Sequence, residues 1–197
     1  AWLAMGDSTP LITALGASTL AIILRSSVDL RLTLMSASGI GVLIYFALPL
    51  LMPEVLAEVQ KQSEVLLSEA LKDNLELWHS IQPKVGPLMI GALAAVQTMV
   101  MVLCLLLARW WQAAFYNPGG YSEEFHPLKL PVGFTASVVL LLVFGSSLPP
   151  LISGVLPILI IPLVIAGIAL IHCIIGLKNL GGQWLFAFYI SVFLFGP

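Results

Sequence analysis

Charge is what this chain has least of. Asp, Glu, Lys and Arg make up 9% of its 197 residues, against about a quarter in soluble domains. Most of the chain therefore has no means of staying in water. Lysine and arginine never form a run and the net charge is −2, so nucleic acid lacks the basic footprint it needs as a partner and a polybasic lipid clamp is missing. Cysteine is nearly absent too. Cys104 and Cys173 both lie inside apolar segments with no second thiol or imidazole at ligand spacing, which leaves neither a disulfide framework nor a zinc site and reads both as small core hydrophobes.

Catalytic signatures are also lacking. The chain has no Gly-x-Ser-x-Gly, no His-Glu-x-x-His, no Gly-x-Gly-x-x-Gly and no aspartate pair within an apolar segment, so no enzyme, metal or cofactor is expected. What is present is apolar surface. Hydrophobic residues make up 59% of the chain at a mean hydropathy of +1.04, and the lipid bilayer is the partner this composition demands.

The long apolar stretches divide into six expected spans. They are Pro10–Leu24, only fifteen residues long, then Leu32–Met52, Val85–Ala108, Val132–Phe144, Leu151–Leu177 and Gln183–Phe195. Crossing a bilayer takes about 20 residues, so the first is short unless Arg25 snorkels. The fifth contains Pro157, Pro162 and Gly167, and prolines inside a helix remove donors and kink it. Gly6 to Pro10 reads as a turn with a helix N-cap. Ala1–Met5 reads as the tail of a helix already under way, which predicts an N-terminally truncated chain.

Between spans two and three the pattern changes. Over 54–82, Leu56, Val59, Leu67, Trp78 and Ile81 share one helical face with other apolar residues. Six carboxylates and two lysines occupy the other face. This predicts a long amphipathic helix, or two shorter ones, on the membrane surface or across the mouth of the bundle. The fold class is thus all-α: one polytopic transmembrane bundle over 1–197, with an interfacial helix at 54–82. Short connections set orientation. Arg25 and Arg31, Arg109 and Lys129, and Lys178 fall in alternate connections on one side, which predicts that the 109–131 loop is cytoplasmic and the 54–82 helix external.

The 109–131 loop is the most distinctive stretch. Trp110, Trp111, Phe115 and Tyr116 form an aromatic belt of the kind found at membrane interfaces. Asn117-Pro118-Gly119-Gly120 is a strong turn signal. Ser122 is placed to cap a short second segment that Pro127 and Pro131 end, giving a compact interfacial hairpin. Glu123, Glu124 and His126 sit close together, but adjacent carboxylates diverge on a helix and Pro127 cuts off regular structure, so a solvated loop or local pairing with Lys129 is the simpler expectation. Polar groups inside spans are few: Gln97, Thr135, Ser137 and His172 are the candidates to face a cavity. The candidate ligand or partner contacts are therefore Gln97, Arg109, Trp110, Trp111, Tyr116, Asn117, Glu123, Glu124, His126 and His172.

The run Ala108-Arg109-Trp110-Trp111-Gln112-Ala113-Ala114-Phe115-Tyr116-Asn117-Pro118-Gly119-Gly120, with Glu123-Glu124-Phe125-His126 and Leu128-Lys129-Leu130, resembles the proteobacterial branch of the YybS-like family of bacterial membrane proteins. The resemblance implies an inner-membrane protein longer at its N-terminus, with a distant relation to the S components of energy-coupling-factor vitamin transporters. Those use small residues to dock a transmembrane partner, and Ala17 with Ala21, or Gly91 with Ala95, have that spacing. It transfers no catalytic residue. The function expected is binding of a small or amphiphilic molecule within the bundle, S-component-like, as part of a transport system. The alternative is a scaffold that recruits a membrane-protein partner, or a second copy of itself, through 54–82 or 109–131.

Overall fold

The computed structural model describes residues 9–195, and every regular element among them is helical. They are α1 (Thr9–Ser27), α2 (Leu30–Leu51), α3 (Pro53–Ala70), α4 (Leu75–Tyr116), α5 (Gly120–Phe125), α6 (Val132–Val143), α7 (Pro150–Leu159), α8 (Ile161–Leu177) and α9 (Gln183–Phe195), with a 3₁₀ turn at Gly145–Ser147. The expected start at Ala1–Met5 and most of the Gly6–Pro10 turn lie outside the described residues. Four segments are long and apolar enough to cross a membrane: α1, α2, α4, and Pro150–Leu177, which joins α7 to α8. Helices α6 and α9, at 12 and 13 residues, reach roughly 18–20 Å at 1.5 Å per residue, short of a hydrocarbon core of about 30 Å. The polytopic bundle is present, with two of its six apolar segments too short to span alone. The chain is an integral membrane protein.

The first span is longer than its apolar run. Helix α1 continues through Arg25, Ser26 and Ser27 to 19 residues, because Ser26 and Ser27 return their hydroxyls to the Ile23 carbonyl at 3.0 and 2.8 Å and leave the helix undisturbed. Packing then centres on α4. Its widest interface is with α7, followed by α2 and α1. Leu20, Leu34, Met101, Val102, Ile158 and Ile165 are wholly buried between these helices and α8. Outward faces stay apolar: Leu43, Val96, Leu170 and Phe193 are all more than half exposed. Such a surface is costly in water and matched by acyl chains.

Helices α4 and α7 touch backbone to backbone. A Cβ built on Gly91 would overlap the Gly154 carbonyl, and one on Gly154 would lie 2.6 Å from the Pro87 carbonyl oxygen. Only glycine permits that approach. Gly91 therefore serves an interface inside the chain, and the expectation that Gly91 with Ala95 docks a separate partner is corrected on that ground. Cys104 is corrected as well. The buried stripe of α4 runs through Met101, Val102, Leu105 and Leu106, so Cys104 faces outward, while Cys173 is half-buried.

The amphipathic segment is two helices. Chain direction breaks at 71–74, where Asn74 caps the next helix by accepting from the Leu77 N–H at 3.1 Å. The second half then runs on without interruption into the third span, so Pro83 and Pro87 lie inside α4, at the place where the pattern predicts an end. Helix α3 buries no residue fully. Its Leu56, Val59 and Leu67 are half-covered as it folds back along the start of α4, with Gln60 lying over Gly86. In the fifth segment the regular helix divides at Ile160, with Pro162 in the first turn of α8 and Pro157 held inside α7.

Candidate functional site

Three connections meet at one end of the bundle. The α1–α2 junction carries Asp29 as N-cap of α2, its Oδ1 accepting the Arg31 backbone N–H at 2.8 Å and its Oδ2 the Arg31 Nη2 at 2.9 Å. The hydrogen-bonded Arg31 guanidinium holds the Asp29 carboxyl below its ordinary value, against a smaller opposing push from burial. Just before it, Val28 has φ 51°, a left-handed conformation rare for a β-branched side chain, and it is 86% exposed. Its N–H still closes α1 on the Leu24 carbonyl at 2.9 Å.

The α4–α6 connection faces this junction. Helix α4 runs through Arg109 to Tyr116 and ends at Asn117. The chain then reverses through Gly119, whose φ of 95° suits glycine, and α5 begins at Gly120. The position that starts α5 is thus Gly119, with Ser122 inside the helix, its carbonyl accepting from the His126 N–H at 3.0 Å. The expected cap at Ser122 is corrected by that left-handed turn. The reversal brings Glu124 back to Arg109, with which it forms an ion pair; Arg109 Nη1 also donates to Gln112 at 2.6 Å. Of the two expectations for this cluster, the pairing with Lys129 is not made among the described residues, and Glu123 is exposed. Arg109 Nε is buried without a hydrogen-bond partner.

Between the two connections lies a cleft of about 970 Å³. Its floor is apolar, built from the buried side chains Leu24, Leu30, Leu105 and Leu128. Arg25, Arg31, Arg109 and Lys129 stand against Asp29 and Glu124 in its walls. The two carboxylates are taken by Arg31 and Arg109, and Arg25 and Lys129 are the cations left over. Arg25, Val28, Asp29 and Arg31 are contacts that sequence reasoning misses. The only sequence signal for them is the Arg25 to Arg31 cluster itself, since no local pattern says that it faces residues 105–129.

The remaining candidates divide. Arg109, Tyr116, Asn117 and Glu124 line a smaller recess of about 110 Å³ beside the cleft. Trp110 and Trp111 are about half exposed and Tyr116 86% exposed, as a belt should be. Gln97 is buried but faces α1, donating to the Thr13 hydroxyl, and Ser137 returns its hydroxyl to Gly133 at 2.8 Å. Neither lines the cleft. His172 hydrogen-bonds the Tyr189 hydroxyl across α8 and α9 at 2.8 Å and meets the edge of Phe125, centroids 5.9 Å apart. Tyr121 stacks on Phe125 at 5.3 Å, and burial pushes its phenol up to about 12. Glu123 is exposed and His126 lies against Gly176, so these two do not converge with Glu124. Among the described residues no group of three His, Cys, Asp or Glu side chains is placed to hold a metal ion.

The contact of His126 with Gly176 also brings the end of α8 to this region. The three basic connections, with Arg25 and Arg31, Arg109 and Lys129, and Lys178, therefore share one end of the bundle. Compared with known proteins, the chain matches no family model, no curated protein and no solved structure.

Proposed function

We propose that this protein binds an amphiphilic molecule at the basic end of its bundle, in the manner of a transporter substrate-binding component, without chemistry of its own. The cleft carries this reading. It combines an apolar floor, Leu24, Leu30, Leu105 and Leu128, with walls that carry Arg25, Arg31, Arg109 and Lys129, the two kinds of surface an amphiphile needs. Val28, held exposed in an unfavourable backbone conformation, adds apolar surface at the mouth and is the kind of local strain that functional sites retain. The resemblance to the YybS-like family and the excess of short-loop arginine and lysine at this end support a bacterial inner membrane with the cleft on the cytoplasmic side.

A photoreactive diazirine fatty acid offered to the protein in phosphatidylcholine nanodiscs tests this. Labelling concentrated in 21–31 and 105–129 is expected. Labelling spread evenly over outward faces such as Leu43 and Leu170 would overturn it. A stoichiometric protein partner cross-linked through the exposed helix α3, with no labelling of the cleft, would favour the recruiting scaffold instead.

A further inference from the structure

We infer that the amphiphile's head group is a phosphate-bearing anion and that Arg25 and Lys129 are the residues that select it, an assignment that rests on the binding role proposed for the cleft. The charge inventory drives it. Of four cations in the walls, Arg31 and Arg109 are each satisfied by a carboxylate of their own, Asp29 and Glu124. Those two pairs are internally neutral and hold further hydrogen bonds, since Asp29 also accepts two backbone N–H groups and Arg109 donates to Gln112. Arg25, in the last turn of α1, and Lys129, beyond α5, come from opposite walls and have no carboxylate among the described residues. Two uncompensated positive charges facing one apolar-floored cleft attract an anion and do not favour a zwitterion of the same length.

A phosphate carries several oxygens and faces Arg25 and Lys129 from both walls at once, while the Arg109 guanidinium stays engaged by Glu124 and Gln112. A carboxylate, with two oxygens, meets this demand less well.

Native mass spectrometry of the detergent-solubilised protein, equilibrated with equal amounts of phosphatidylglycerol and phosphatidylcholine, reads the selection. The expected result is preferential retention of phosphatidylglycerol, weakened about fivefold by each of Arg25→Ala and Lys129→Ala, the effect of one basic residue beside an anionic surface. The charge-preserving exchange Arg25→Lys with Lys129→Arg retains the preference. Lys178→Ala, which removes a cation at the same end but outside the cleft, leaves it unchanged. A preference untouched by Arg25→Ala and Lys129→Ala overturns the assignment. Equal retention of both lipids, each lost on filling the cleft by Ala108→Trp, overturns the anionic selection and leaves the amphiphile reading standing. Retention of neither overturns both. Inorganic phosphate then separates the sources: if it displaces phosphatidylglycerol at millimolar concentration, the site reads a soluble phosphate compound, and if it does not, the site reads a lipid head group.

Discussion

A Cβ at Gly91 has nowhere to go. The atom it would meet is the Gly154 carbonyl, part of an α7 backbone that also lies against the Pro87 carbonyl one turn earlier on α4, and backbone cannot rotate away as a side chain can. Gly91→Ala should therefore lower stability by roughly 1–3 kcal/mol, the usual cost of overpacking, read as a fall in unfolding temperature in detergent. Gly133→Ala, whose Cβ would meet nothing within 4 Å, should leave it unchanged or raise it slightly. The small residues around Gly91 advertise a close helix contact in the sequence, but nothing in the sequence says that the contacting helix is α7. The same blindness misplaces Cys104. A segment apolar on all sides carries no stripe to say which face is buried, so composition alone cannot separate a core thiol from an outward-facing one. Polar residues inside spans are easier to find than to assign. Gln97 is recognisable as a polar group in an apolar run, while its use, a bond to Thr13 of another helix, depends on a contact across the bundle.

Helices end where local chemistry ends them, and that much is readable. Asn117 to Gly120 reverses the chain as its residues demand, and Asp29 starts α2 as a capping aspartate should. The capping role gives a pH dependence. Because Arg31 and two backbone N–H groups favour the ionised carboxylate, the folded state holds Asp29 below its ordinary value of 3.8. Its contribution is then complete above that value and is lost as the pH falls below it, through the lower folded-state value. Asp29→Ala should reduce stability by about 1 kcal/mol at neutral pH, and the gap in unfolding temperature from wild type should narrow as the pH is taken down towards about 3. A gap constant with pH would mean that the charge of Asp29 plays no part. Less legible is the continuity of α4. Pro83 and Pro87 read locally as a boundary, but α4 is packed between them, with Val85 and Gly86 buried and Gln60 of α3 lying over Gly86, and packing outweighs a missing donor.

Topology follows from which connections share an end. Arg25 and Arg31 meet Arg109 and Lys129 across the cleft, and Gly176 joins them through His126, as the alternation of short basic loops requires. The cleft itself is not legible in the sequence, because it is made by residues 21–31 and 105–129, which no periodicity connects. In a background with Cys104 and Cys173 replaced by alanine, single cysteines at Ser27, Lys129 and Lys178 should react with an impermeant maleimide from one face of the membrane, and a cysteine at Glu64 from the other. With inverted and right-side-out vesicles the same set tests whether the basic end is cytoplasmic. Labelling of Ser27 and Lys129 from opposite faces would break the shared end.

The glycine contact between α4 and α7 also dictates an order of biogenesis. Gly91 and Gly154 have α5 and α6 between them in the chain, so α4 enters the membrane with its closest-packing surface bare. The widest interface of the bundle closes only after the Arg109 to Pro131 connection has been made and α6 laid down, which makes it a late, long-range step of assembly. A nascent chain halted before Gly154 would present that bare strip of backbone to the translocation machinery and to whatever chaperones attend it.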